Sequence, residues 1–337
     1  MRSAKWALVV IVVAAWGVGC GKPQQGAGDK KPPATSRFIL VADKLDQESL
    51  DQLKAIPGFE VTVKTGMDEP ELSKTIPGYN AIVVRSATKV TRKVVEASQG
   101  LELIIRAGIG LDNIDAAAAK EKGIPVANTP AATSISVAEH TFGLMLGAVR
   151  HHGPANLSLK AHKWEKKLFS GTELYQKTLG LIGCGRIGQE VAKRAIAFGM
   201  KVVAFDIIPI KTELAIQQVS LDDLLKQADI ISLHLPKTDQ SKNMISAAQF
   251  AKMKKGIILV NAARGGVVDE KALLEALNSG QVRAAALDVY EKEPPEDYAL
   301  IDHPHVTALP HIGAAAEEGQ ARAGLEVVRI LKEKFGA

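Results

Sequence analysis

The sequence predicts an α/β protein whose strands run parallel, and three observations carry that prediction. Short β-branched runs alternate with helical stretches from residue 37 onward, the pattern of successive βα units. A strand, a glycine-rich turn and a helix follow one another without interruption at 178–198. Hydrophobic residues make up 46% and charged residues 23% of the 337, enough apolar surface for two domains of roughly 100–200 residues. Aromatics are only 4%, so aliphatic side chains must fill the cores.

Residues 1–36 precede this pattern. Arg2 and Lys5 stand before an apolar run at 6–18, then come Gly17-Val18-Gly19-Cys20 and a polar linker, the order of a secretory signal. The run is shorter than the roughly 17–25 residues that span a bilayer. Cys20 behind small residues fits a lipid-anchored cysteine, although Gly17 stands where Leu is usual; the alternative is an uncleaved tether or a start placed too far upstream. The leader also carries Arg2, Lys5, Lys22, Lys30 and Lys31 against Asp29, which is +4 of the net +5. The rest is nearly neutral, so the footprint of a nucleic-acid binder is missing and a small-molecule partner is expected. Only Cys20 and Cys184 exist, so no structural disulfide is expected.

In the first βα series, strands are expected at 38–42, 61–64, 81–85, 103–106 and 124–127, with helices near 46–55, 91–99 and 113–122. Pro57-Gly58 and Pro77-Gly78 mark turns. A helix follows at 133–152, where Ser136 and Glu139 have capping-box spacing. Its stretch 141–149 is almost wholly apolar, so it must be buried, inside one subunit or between two. The second series has six strands, at 178–183, 201–206, 229–235, 256–261, 284–289 and 306–309, which fit a doubly wound sheet. A last helix at 315–335 follows the completed sheet and is free to pack back on the first series. The expected division is a leader (1–36), a discontinuous smaller domain (37–132 with 316–337) and a dinucleotide-binding domain (133–315).

Gly183-Cys184-Gly185-Arg186-Ile187-Gly188 lies between the strand at 178–183 and a helix at 189–198. In that context each glycine has a reason: Gly183 makes the tight turn, Gly185 lets a pyrophosphate approach the backbone, and Gly188 packs helix on strand. Asp206 ends the next strand, eighteen residues after Gly188, where a carboxylate accepts from a ribose diol and repels a 2′-phosphate. NAD is therefore expected rather than NADP.

Three polar residues follow late strands of the same series: Arg264 in Asn261-Ala262-Ala263-Arg264, Glu293 in Glu291-Lys292-Glu293-Pro294, and His311 in Pro310-His311. Carboxyl ends of parallel strands are where such sheets bind ligands. Arg264 offers a planar charged fork for a carboxylate, His311 titrates near neutrality, and Glu293 can hold and charge the imidazole. Together they fit hydride transfer from a 2-hydroxy acid, with His311 taking the hydroxyl proton. His303 and His305 have a ligand-like spacing but no cysteine or acid cluster around them, so no metal is expected.

From about residue 37 to 336 the sequence resembles the NAD-dependent D-2-hydroxyacid dehydrogenases. The motifs are Arg85-Ser86-Ala87-Thr88-Lys89-Val90, the stretch 106–113, Asn128-Thr129-Pro130, the glycine motif, His234-Leu235-Pro236, and the stretches 261–269, 287–295 and 310–313. The resemblance implies a Rossmann-type cofactor domain hinged to a smaller flavodoxin-like substrate domain. It implies NAD contacts at Arg186, Ile187, Asp206, Pro236, Ala262, Asp288 and Gly313 beside the glycine loop. Substrate contacts would come from Arg85, Ser86 and the backbone of Gly108, Ile109 and Gly110, and the 133–152 helix would build a homodimer.

The Arg85 motif and Trp164-Glu165-Lys166-Lys167 resemble members that oxidise 3-phospho-D-glycerate, in which Lys166 or Lys167, from a neighbouring subunit, would help hold the phosphate. Ile109 stands where those members often have Thr, leaving only its amide for the ligand. The regulatory domains of longer members have no counterpart before Ala337, so serine feedback is not expected. An unphosphorylated acid and an NAD-sensing interaction protein stay open as alternatives. A formate-oxidising enzyme is disfavoured, because Gln would stand at Glu293. The NAD chemistry favours the cytoplasm, whereas a working signal would make a membrane-anchored lipoprotein.

Overall fold

Aspartates open three of the four helices of the first series. The computed structural model describes residues 36–337, so the leader and the lipid-anchor expectation at Cys20 lie outside the described residues. The elements run β1 (Arg37–Val41), α1 (Gln47–Lys54), β2 (Phe59–Val63), α2 (Glu69–Thr75), β3 (Ala81–Val84), α3 (Arg92–Ala97), β4 (Leu103–Arg106), α4 (Ala116–Glu121) and β5 (Val126–Asn128). Asp46, Asp68 and Asp115 each accept a first-turn amide of α1, α2 and α4, a cap worth about 1 kcal/mol. Helix α2 is not among the helices expected from the sequence; Asp68 and the proline in its first turn are the signals for it. The five strands are all parallel in the order β2-β1-β3-β4-β5, the flavodoxin-like arrangement.

Next come α5 (Ser134–Arg150), α6 (His152–Lys160) and a 3-10 helix (Lys166–Phe169). The capping-box expectation fails: α5 starts two residues before Ser136, which is buried inside the helix, and Glu139 instead pairs with Arg194. The apolar side of α5 packs within the chain, against the helix that follows the glycine loop and the strands beside it, leaving Ile135, Glu139 and Gly143 as an exposed stripe.

The second sheet is built from β6 (Thr178–Ile182), α7 (Arg186–Ala197), β7 (Lys201–Phe205), β8 (Ile216–Gln218), α8 (Leu221–Gln227), β9 (Ile230–Leu233), α9 (Ala247–Phe250), β10 (Ile257–Asn261), α10 (Glu270–Asn278), β11 (Val282–Leu287) and β12 (Val306–Ala308). It has seven strands rather than six, in the order β12-β11-β10-β9-β6-β7-β8. The extra one, β8, is a three-residue edge strand with a single aliphatic side chain. The chain crosses from one side of β6 to the other between β8 and β9, which makes the β6/β9 boundary the switch point of a doubly wound sheet.

The last helix, α11 (Glu317–Phe335), ends on Gly336 in the left-handed conformation. It returns to the first sheet, where Val327, Val328 and Leu331 share a core with Ile39, Val41, Leu53 and Ile105. Among the described residues no helix is long and apolar enough to cross a membrane.

Candidate active site

Strand register brings the chemistry to one edge. Ile182, Phe205 and Leu233 pair across β6, β7 and β9, and Asn261, Leu287 and Ala308 pair across β10, β11 and β12. The loops that leave β6, β9, β10, β11 and β12 form one wall of a cleft of about 550 Å³, and the loops after β1, β3, β4 and β5 form the other.

The first wall is shaped by missing side chains. Gly183 has φ +88°, and a Cβ there would meet the His234 carbonyl; a Cβ on Gly188 would lie 2.5 Å from the Gly183 oxygen. Gly185 caps α7 without a side-chain bond and has nothing within 4 Å of a built Cβ, so the first-turn amides are open to an anion. Gly185, Arg186 and Ile187 line the cleft, as do Pro236, Ala262, Asp288 and Gly313. Asp206 stands just beyond β7 and accepts from the Cys184 amide at 2.8 Å and the Ile208 amide at 3.2 Å. Burial, with Asp206 adding to it, pushes the Cys184 thiol up to about 11, which keeps it protonated. Burial pushes His234 down to about 3, so it is a neutral partner of the Ser232 hydroxyl at 2.8 Å. An open cradle, a helix N-terminus and a carboxylate one strand away fit a dinucleotide.

At the far end of this wall His311 Nδ1 lies 2.7 Å from Glu293 Oε2, while Glu293 Oε1 accepts the Tyr290 amide at 3.1 Å. The bond to Glu293 holds the His311 pKa above the ordinary imidazole value. Burial works to raise Glu293, but the His311 and Tyr290 hydrogen bonds win and hold it low. His311 has φ 54°, and the amides of the next two residues are fixed by Asp288. Arg264 Nε donates to Asp112 at 3.1 Å and its Nη1 to the Ala263 carbonyl at 2.7 Å. Gly110 lies against this guanidinium with no room for a Cβ.

The opposite wall is held by polar side chains that sequence reasoning missed. Arg85, Ser86 and Gly108 to Gly110 do line the cleft. Asp43 accepts from the amides of Arg85 and Thr88 at 2.5 and 3.1 Å and from the Thr88 hydroxyl at 2.8 Å. Asn113 donates to the carbonyls of the same two residues at 2.7 and 2.6 Å, so their loop is gripped from both sides. Asn128 donates to the Ile109 carbonyl at 2.5 Å, and Arg106 to that of Gly110. Arg106 lines the cleft beside Arg85, Arg186 and Arg264, its pKa lowered by burial and then by Arg264 and Arg85. In the sequence it lies inside the 106–113 motif with no role of its own.

Lys166 and Lys167 are not brought to the cleft. They sit on the exposed 3-10 helix after α6, in a segment that also exposes Leu157, Leu159, Trp164 and Leu168.

Residues 142–313 match the model of the D-isomer specific 2-hydroxyacid dehydrogenase NAD-binding domain. The chain is 52% identical over 301 residues to a hydroxypyruvate reductase of Thermotoga maritima, covering 88% of this chain and 98% of that protein. It is 50% identical over 299 residues to a D-3-phosphoglycerate dehydrogenase of Methanocaldococcus jannaschii, covering 88% of this chain but 57% of that protein. It thus spans little more than half the length of that relative. Among solved structures, the TT0316 protein of Thermus thermophilus superposes with a TM-score of 0.82 at 36% identity, over 89% of this chain and 97% of that one.

Proposed function

The chain belongs to the D-isomer specific 2-hydroxyacid dehydrogenase family, matched through its NAD-binding domain, and we propose that it oxidises 3-phospho-D-glycerate to 3-phosphooxypyruvate. The observation that carries this reading is the convergence of Arg264, Arg85 and Arg106 on one cleft, close enough for the other two to depress the Arg106 pKa. A bound anion relieves that repulsion. A phosphoryl group of about −1.5 to −2 together with a carboxylate matches three guanidiniums better than one carboxylate does.

In this reading Arg264 takes the carboxylate beside the Ile109 and Gly110 amides, and Arg85 and Ser86 take the phosphate. His311 removes the hydroxyl proton at Nε2, the nitrogen left free by Glu293, and Glu293 stabilises the imidazolium. Bound NAD supplies the hydride acceptor. Gly183, Gly185, Arg186, Ile187 and Gly188 seat its pyrophosphate and Asp206 its ribose, with Pro236, Ala262, Asp288 and Gly313 completing the pocket. The five-stranded sheet with α11 serves as the substrate domain, a second subunit docks on α5 and the exposed segment after it, and Lys166 or Lys167 of that subunit reaches the phosphate. The enzyme works in the cytoplasm, where NAD is maintained.

The second reading is reduction of hydroxypyruvate, supported by the 52% identity that runs through nearly the whole Thermotoga protein. Steady-state kinetics with 3-phosphoglycerate and D-glycerate separate the two. Arg85→Ala is expected to lower kcat/KM at least tenfold for the phosphorylated acid alone, the loss of one charge-assisted contact. An unchanged ratio between the two acids would remove the phosphate assignment.

A further inference from the structure

We propose that His140 of α5 is a positioning residue for the acid–base histidine and acts through Asp288; the proposal rests on the reading of His311 as the proton acceptor. Asp288 is 1% exposed, and its carboxylate is fully committed to the turn that carries His311. Oδ1 accepts the Ile312 amide at 2.9 Å and Oδ2 the Gly313 amide at 2.7 Å. These are the two amides that follow His311, whose φ of 54° is one that non-glycine residues seldom adopt. A carboxylate gripping both is what keeps that conformation from relaxing, and with it the aim of Nδ1 at Glu293.

Asp288 in turn needs support, because a buried carboxylate is costly unless it is paired. Among the described residues one basic side chain lies within 4 Å of its oxygens: His140, whose Nε2 is 3.1 Å from Oδ1, at an angle rather than in line with a hydrogen bond. The imidazole also walls the turn, since a Cβ on Gly313 would lie 3.0 Å from Asp288 Oδ2 and 3.4 Å from His140 Cδ2. Burial alone would raise the Asp288 pKa, and His140 with the two amides holds it low. The carboxylate therefore keeps its charge for the amides. Among the described residues no hydrogen bond or ion pair joins His140 to Arg264 or the glycine loop, so its loss is expected to be felt by proton transfer rather than by anion binding.

The test is steady-state kinetics of His140→Leu and His140→Gln with NAD and the acid, beside thermal unfolding. His140→Leu is expected to lower kcat roughly tenfold with the acid KM within about twofold, the signature of a misaimed group. His140→Gln, whose amide nitrogen can reach Asp288, is expected to recover kcat to within about threefold. A wild-type kcat in the Leu variant, or a Gln variant as impaired as Leu, would overturn the proposal. If the Leu variant does not fold, the Gln variant decides alone: near-normal kcat supports a polar contact to Asp288 and a tenfold loss rejects it. His311→Gln separates this proposal from the reading beneath it, because full turnover there would reject the acid–base assignment itself.

Discussion

The two walls of the cleft keep their shape by different means. On the seven-stranded side the wall is backbone: Gly183, Gly185 and Gly188 leave space, and the amides of α7, without a side-chain cap, are the surface offered to a ligand. On the five-stranded side the Arg85–Thr88 loop is suspended between a carboxylate, Asp43, and an amide, Asn113. A wall made of absent side chains admits no intermediate state, since a single Cβ closes it. A wall made of hydrogen bonds loosens one bond at a time. In the proposed reading the dinucleotide, common to every substrate, would meet the rigid wall, and the acid, the variable partner, would meet the adjustable one.

The largest expected effect is on the rigid side. Gly188→Ala forces α7 away from the Gly183 carbonyl and should lower kcat/KM for NAD by about 100-fold, as a displacement near 1 Å does. A loss under threefold would break the distinction between the walls. Asp43→Ala should act more gently, raising the KM for the acid roughly tenfold, about 1.4 kcal/mol. NADH binding, followed by its fluorescence, should stay within about twofold of wild type. Equal losses for acid and cofactor would merge the walls into one unit.

The smallest effect falls on His311, where the walls meet. Oxidation needs the neutral imidazole, so kcat should rise with pH, and because Glu293 raises the His311 pKa the midpoint should lie above about 6.5. Removing the carboxylate charge in Glu293→Gln should move that midpoint to lower pH by about half a unit to one unit. A midpoint that does not move would mean that another group titrates.

This contrast also explains what could be read from the sequence. Both sheets were legible because their strands are short aliphatic runs bounded by turns, whereas β8, Ile216-Gln217-Gln218, is too short and too polar to announce itself. The glycine wall was legible because the absence of a Cβ is written in the residue itself. Asp43 and Asn113 were not, since their partners lie 42 to 45 and 25 to 28 residues away. Only the pairing of β1 with β3, and of β3 with β4, brings them to one loop. Arg264, Glu293 and His311 could be found by their place after strands, but His140 could not. Its helical context looks like core packing until β11 sets Asp288 beside it.

The return of α11 to the first sheet has a consequence for synthesis. Ile39 and Val41 leave the ribosome about 290 residues before Val327, Val328 and Leu331, which share their core. At about 5–20 residues per second the interval is roughly 15–60 s. Throughout it the part of the early sheet's face beside α1 that α11 will cover stays open, while the dinucleotide sheet is translated and can close on itself. The sheet that is begun before the dinucleotide sheet is finished after it.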